Sequence, residues 1–181
     1  MSSRNLRIAG PDSSPYELGQ PLSVYDGARH LGTVTTVILS KDGGTLHLGG
    51  FVSSPIPQQR MLRRLVVVEI TAFVVDRFPG VRTIGYTLGH RVEGLRDGLA
   101  LASVRASLLR SMGGEQIRIS PKLGARDGGH FVVQCVWHRS PQALDALART
   151  LTQAREARQR QEAAFGASPL SRLRALIGRF L

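Results

Sequence analysis

Residues 58 to 77, "QQRMLRRLVVVEITAFVVDR", form a long apolar-rich stretch with no internal breaker, and proline punctuates it on both sides: Pro55 and Pro57 before it, Pro79-Gly80 after it. An ordinary strand runs to about five or six residues, so one strand cannot absorb this segment. Its valines and isoleucine favour extended backbone, whereas its length, its basic start and its Asp76-Arg77 end favour a largely buried helix. A helix here constrains everything around it, because the sequence on either side reads as β.

Before it, "PLSVYDGARHLGTVTTVILSKDGGTLHLGGFVSS" has turn signals at Asp26-Gly27 and Asp42-Gly43-Gly44, separating runs rich in apolar and β-branched residues. Three antiparallel strands in sequence are expected. After it, "GVRTIGYTLG" reads as a strand and "HRVEGLRDG" as a polar connection. In "LALASVRASLLRSMGG", Leu101, Val104, Leu108 and Met112 recur at helical spacing and Gly113 is a natural stop. A strand, a helix and a strand in that order make a βαβ-type crossover. "EQIRISPKL" and "GHFVVQCVWH" then form a hairpin around "GARDGG". "SPQALDALARTLTQAREARQRQEAAFG" starts with a serine cap and a first-turn proline, and its polar second half is expected to project from the body. "SPLSRLRALIGRFL" sets Leu170, Leu173, Leu176, Ile177 and Phe180 on one side of a short helix, with Arg172, Arg174 and Arg179 elsewhere. The expected organisation is a poorly anchored N-terminus over residues 1–19, a domain over 20–140 and a C-terminal helical extension over 141–181.

A chain of 181 residues suits one domain with an ordinary core. The start shows no charged region followed by an apolar one, and the run "LVVVEITAFVV" is broken by Glu69 and Thr71; a soluble, cytoplasmic protein is expected. The polar N-terminus is also compatible with an effector secreted without a cleaved signal. The net charge of +11 attracts phosphate-rich partners, nucleic acid or an anionic membrane. All but Lys41 and Lys122 of the 24 basic residues are Arg, a bias that a GC-rich, bacterial-type coding sequence also produces, and no nucleic-acid motif accompanies the charge. Cys135 is the single cysteine, which excludes an internal disulfide, and it lies at odd offsets from His130 and His138 on one strand, so the three do not share a face. No metal site is expected.

The segments "YDGARHLGTVTTVILS", "LHLGGFVSSPIP", "RRLVVVEITAFVVDRFPGVRTIGYTLG", "LASVRASLLRSMGGEQI" and "GHFVVQCVWH" follow one another as in the GNAT superfamily of N-acetyltransferases, which the chain resembles over about residues 20 to 139. The resemblance implies an α+β fold: a mixed sheet with two main core helices, here carrying an added C-terminal helical arm. The helices usual between the first two strands of the family have no counterpart in the sequence.

The resemblance also implies an activity, transfer of an acyl group from acetyl-CoA or another acyl-CoA to an amine. In the family a glycine-rich loop lets backbone N–H groups at a helix N-terminus approach the coenzyme's pyrophosphate. Here "QQRMLRRL" puts Arg60 at the loop's first position, with Arg63 and Leu65 where the family has small residues. Backbone approach is obstructed, and Arg60, Arg63 and Arg64 are left to bind phosphate by charge-assisted bonds. A basic first turn opposes the helix dipole unless an anion sits nearby. A tyrosine that the family often uses as general acid corresponds to Leu109. His47, in "TLHLGG", is the titratable residue available as base on the preceding strand, or else a half-buried structural histidine. Glu69, inside the apolar helix, either faces outward or pairs with an arginine such as Arg82. The lost glycines and tyrosine keep a second class open: a catalytically degenerate binding module whose basic surface and C-terminal amphipathic helix engage a protein, an anionic membrane or nucleic acid. That helix has an equally ordinary role in covering the domain's own sheet.

Overall fold

Seven strands form one sheet in the order β1-β2-β3-β4-β5-β7-β6. The structure, a computed structural model, describes residues 6–53, 60–90, 95–122 and 130–166. The strands are β1 (Arg7–Ala9), β2 (Leu22–Asp26), β3 (Arg29–Leu39), β4 (Thr45–Ser53), β5 (Thr83–His90), β6 (Glu115–Pro121) and β7 (Phe131–His138), and the helices α1 (Arg60–Arg77), α2 (Leu95–Ser111) and α3 (Pro141–Gly166). β2, β3 and β4 make the expected meander, hinged at Asp26-Gly27 and at the Asp42–Gly44 turn. β4 and β5 are parallel, in register from Thr45–Thr83 to Gly49–Thr87, so α1 is the crossover between them. β7 is antiparallel to both β5 and β6.

The stretch read as a buried helix is one. Leu65, Val66, Val68, Ile70, Val74 and Val75 of α1 are all buried, as are Glu69 and Thr71. Burial on more than one side is why the stretch lacks a clean amphipathic stripe: α1 has the sheet on one side and α3 on another. Thr71 Oγ1 donates to the Val67 carbonyl within the helix and meets the Tyr86 hydroxyl of β5 at 2.7 Å. Arg139 closes the other end, donating to the carbonyls of Val75 and Pro79, a cation where the helix dipole favours one.

All three helices lie on the same side of the sheet. Tyr86 reaches α1, and its partner in register, Cys135, lies against Gly114 just past α2. Two residues on, the fully buried Trp137 donates from Nε1 to the Met112 carbonyl at 2.8 Å. Each fully buried large side chain in this layer, Ile84, Leu109 and Met112 among them, contributes about 1.5–3 kcal/mol. α3 packs on α1 and on the end of α2, where Thr150 Oγ1 donates to the Ser111 carbonyl at 2.7 Å.

Two expectations change. The N-terminus from residue 6 is not loose: β1 pairs with β2 from Arg7–Tyr25 to Ala9–Ser23, and Leu6, Ala9 and Tyr16 are buried. Tyr16 stacks edge-on against Phe73 and Phe78. The Ser/Pro/Gly composition masked three well-spaced apolar anchors. The second half of α3 does not project either. Arg155 and Arg158 tie it to Glu69 of α1 and Asp26 at the end of β2. Residues 167–181, which carry the amphipathic C-terminal segment, lie outside the described residues. Between β1 and β2 there is only the 3-10 turn Pro11–Ser13, and no α-helix.

Candidate functional site

The sheet's second face carries the chemistry. On β3 and β4 the pleat slips between Thr35–Thr36 and Gly49–Gly50: Thr35 and Thr36 are both exposed, and Thr35 Oγ1 donates to the Gly50 carbonyl at 2.7 Å. Gly50 adopts a positive φ of 62°, and a Cβ there would sit 2.5 Å from Thr35 Oγ1, so glycine is required. Ile38 (60% exposed) and Val52 (61% exposed) face solvent on this side, where no described helix packs.

The slip coincides with the place where β4 and β5 part. Their pairing ends at Gly49–Thr87, although β4 continues to Ser53 and β5 to His90. Backbone N–H and C=O groups of β4 and β5 facing each other beyond that point have no ladder partner across the gap, which leaves an opening at the carboxyl ends of two parallel strands. Crevices of that kind are where open α/β sheets bind ligands.

His47 sits at the floor of this opening. It is opposite Gly85 in register, half-buried, with Nε2 3.0 Å from Thr87 Oγ1. Its ring lies against the bare Cα of Gly85, where a Cβ would come within 2.6 Å of Nδ1 and 3.5 Å of Cε1. The sequence singled out His47 but missed Gly85 and Thr87. Their only signal was the alternation Thr83, Gly85, Thr87 in "TIGYTLG", which puts three small residues on one face of β5.

Of the three candidate phosphate ligands, Arg64 is exposed on α1 and helps to line a cleft of about 280 Å³ with Val104, Ser107 and Leu108 of α2 and Gln153 and Ala157 of α3. Arg60 and Arg63 belong to the first turn of α1; their side chains are outside the described residues. Leu109, in the place of the family's tyrosine, is 1% exposed and packed in the core. Glu69 is paired, but with Arg155 and not with Arg82: two bonds of 2.8 Å join the two side chains. Arg82 instead reaches Asp42 at 3.3 Å, because Glu69 faces α3 while Arg82 immediately precedes β5 beside the β3–β4 turn. Burial pushes the Cys135 thiol up to about 11, which leaves it protonated near neutral pH and unsuited to nucleophilic attack.

No family model matches the sequence, and no curated protein is similar to it. Solved structures are similar in fold. The N-terminal domain of the ribosomal-protein-alanine acetyltransferase from Clostridium acetobutylicum superposes with a TM-score of 0.52 at 8% identity, over 78% of this chain and 95% of that one. Mutant forms of the spermidine/spermine N-acetyltransferase from Vibrio cholerae superpose at 0.51 with 12% identity, over 77% and 98%. The core has the GNAT fold. Identities this low establish the GNAT-like sheet and helices and leave the chemistry to the residues themselves. Within this GNAT-like core, His47 lies beside Thr87 near the end of the β4–β5 pairing, and Arg64 lines the separate cleft between the helices. Among the described residues no helix is long and apolar enough to cross a membrane.

Proposed function

We propose that the protein is an acyl-CoA-dependent N-acyltransferase acting on an amine. The observation that carries this reading is the parting of β4 and β5 beyond Gly49–Thr87 with a histidine at its floor. An extended ligand bearing amides can complete the unpaired strand edges, and the pantetheine arm of an acyl-CoA is such a ligand. Arg60, Arg63 and Arg64 would hold its phosphates as charge-assisted donors at the start of α1. The bound coenzyme supplies the acyl group as a thioester. His47 supplies an imidazole as the base, and the uncovered sheet face gives an amine a route to it. Transfer is then by direct attack of the amine on the thioester carbonyl: the C–N bond forms, the C–S bond breaks, and the coenzyme leaves as its thiolate, which takes a proton from water. The acceptor is an amine of unassigned identity, and localisation in the cytoplasm is part of the same reading.

A second reading is favoured by one observation. Leu109 is a core residue where the family's acid stands, as expected of a degenerate module that binds without transfer, through its basic surface or through residues 168–181 to a protein, an anionic membrane or nucleic acid.

Calorimetric titration with acetyl-CoA, CoA and ATP separates the two. Saturable binding selective for the CoA compounds, weakened about tenfold or more by Arg64→Glu, supports the transferase reading, since one lost charge-assisted bond is worth about 1.5–3 kcal/mol. Equal, weak binding of all three polyanions overturns it.

A further inference from the structure

We propose that Thr87, not His47, is the side chain that meets the acceptor's nitrogen, and that its hydroxyl relays the proton to His47. The register decides the order of the two groups. His47 lies opposite Gly85, two residues short of the end of pairing, whereas Thr87 is opposite Gly49 in the last pair before β4 and β5 part. The hydroxyl therefore stands at the opening and the imidazole stands behind it.

The orientation of the ring fits this order. Gly85 lets the imidazole lie against β5, its Nδ1 over the bare Cα, and its Nε2 reaches along β5 to Thr87 Oγ1 at 3.0 Å. A threonine hydroxyl carries one donor hydrogen and two acceptor lone pairs. With the ring proton on Nδ1, Nε2 accepts the Thr87 hydrogen and a lone pair of Oγ1 remains for an N–H arriving from the opening. As an acceptor N–H bond breaks, its proton joins Thr87 Oγ1. The original Thr87 O–H bond breaks in turn, and that proton joins His47 Nε2. The nitrogen keeps its electron pair for attack, threonine ends as it began, and the imidazolium returns its proton to water. The face is open on this side: Thr36 and Gly50 beside the pair are exposed, and among the described residues no helix covers them.

The relay rests on the transferase reading, and two measurements on the full-length protein keep them apart. Nitrogen NMR of histidine-labelled protein above neutral pH is expected to show His47 with Nδ1 protonated and Nε2 bare, the Nε2 resonance shifting in Thr87→Val and being restored in Thr87→Ser. Thiol release from acetyl-CoA, with n-butylamine and a lysine-containing peptide as amine probes, is expected to lose about 100-fold in kcat in Thr87→Val, the usual share of a general base. The KM for acetyl-CoA should be unchanged, Thr87→Ser should recover the rate, and His47→Gln should cost no more when combined with Thr87→Val. A proton found on Nε2, or a Thr87→Val enzyme with wild-type rate and pH profile beside a slow His47→Gln enzyme, overturns the relay and leaves the transferase standing. No amine-dependent thiol release from wild type, with the expected tautomer present, overturns the transferase reading and the relay with it.

Discussion

Glu69 and Arg155 face each other across α1 and α3 through two parallel hydrogen bonds of 2.8 Å, Nε to Oε1 and Nη2 to Oε2. The glutamate side chain is 6% exposed, while the arginine side chain keeps 30% of its surface in water. The bond to Glu69 raises the arginine's already high pKa, so the guanidinium stays charged.

That asymmetry predicts an order of mutational cost. Arg155→Met strands a buried carboxylate and should destabilise the fold by about 2–3 kcal/mol, toward the low end for a broken buried pair because the guanidinium is partly solvated. Glu69→Met leaves only a partly exposed cation and should cost less. The double variant should recover much of the loss, giving a coupling of about 1 kcal/mol or more in a denaturant double-mutant cycle. Additive costs would mean the pair does not hold α3 to α1.

The His47–Gly85 contact yields a second test. Gly85→Ala places a methyl group 2.6 Å from Nδ1, a clash the ring must escape. A loss of about 1–3 kcal/mol is expected, in the range of overpacked sites. Combining it with His47→Ala should restore most of the stability. Urea denaturation of the four proteins measures this, and unrelieved loss in the double variant would place the strain in the β5 backbone.

Tyr86 and Thr71 should respond unequally. Thr71 Oγ1 has a second partner, the Val67 carbonyl, so Tyr86→Phe should cost only about 1 kcal/mol, the net value of one hydrogen bond. Thr71→Val strands a buried tyrosine hydroxyl and should cost about 1–3 kcal/mol. Equal costs would show that the hydroxyl finds another acceptor.

Alkaline pH should unfold the protein in a way Cys135 helps to set. Burial raises its pKa from 9.0 to about 11, so the unfolded thiol loses its proton first. Its contribution is present in full below pH 9 and is lost as pH rises toward about 11. Burial acts in the same sense on Tyr16, raised from 10.0 to about 12, and on Tyr86. Cys135→Ala should flatten the fall in stability between pH 9 and 11, as followed by thermal melts across that range. An unchanged slope would assign the alkaline loss to the tyrosines alone.

The order of elements was legible because each boundary has a local cause. Asp26-Gly27, the Asp42–Gly44 turn, Pro79-Gly80 and Gly113 each stop or turn the chain by their own backbone preferences, and the length between Pro57 and Pro79 excludes a strand. His47 was visible as a titratable residue on a strand next to a double glycine. What local pattern does not hold is the partner across the crossover. Nothing near His47 names Thr87, 40 residues on, and nothing near Glu69 names Arg155, 86 residues on. The parallel pairing of β4 with β5 requires α1 to cross over one face of the sheet, and the polar second half of α3 reads as projecting because its residues pair with charges that only the folded chain brings near. The N-terminal strand was missed for the same reason: Arg7–Ala9 is too short to show periodicity, and it becomes a strand because the free edge of β2 supplies its hydrogen bonds.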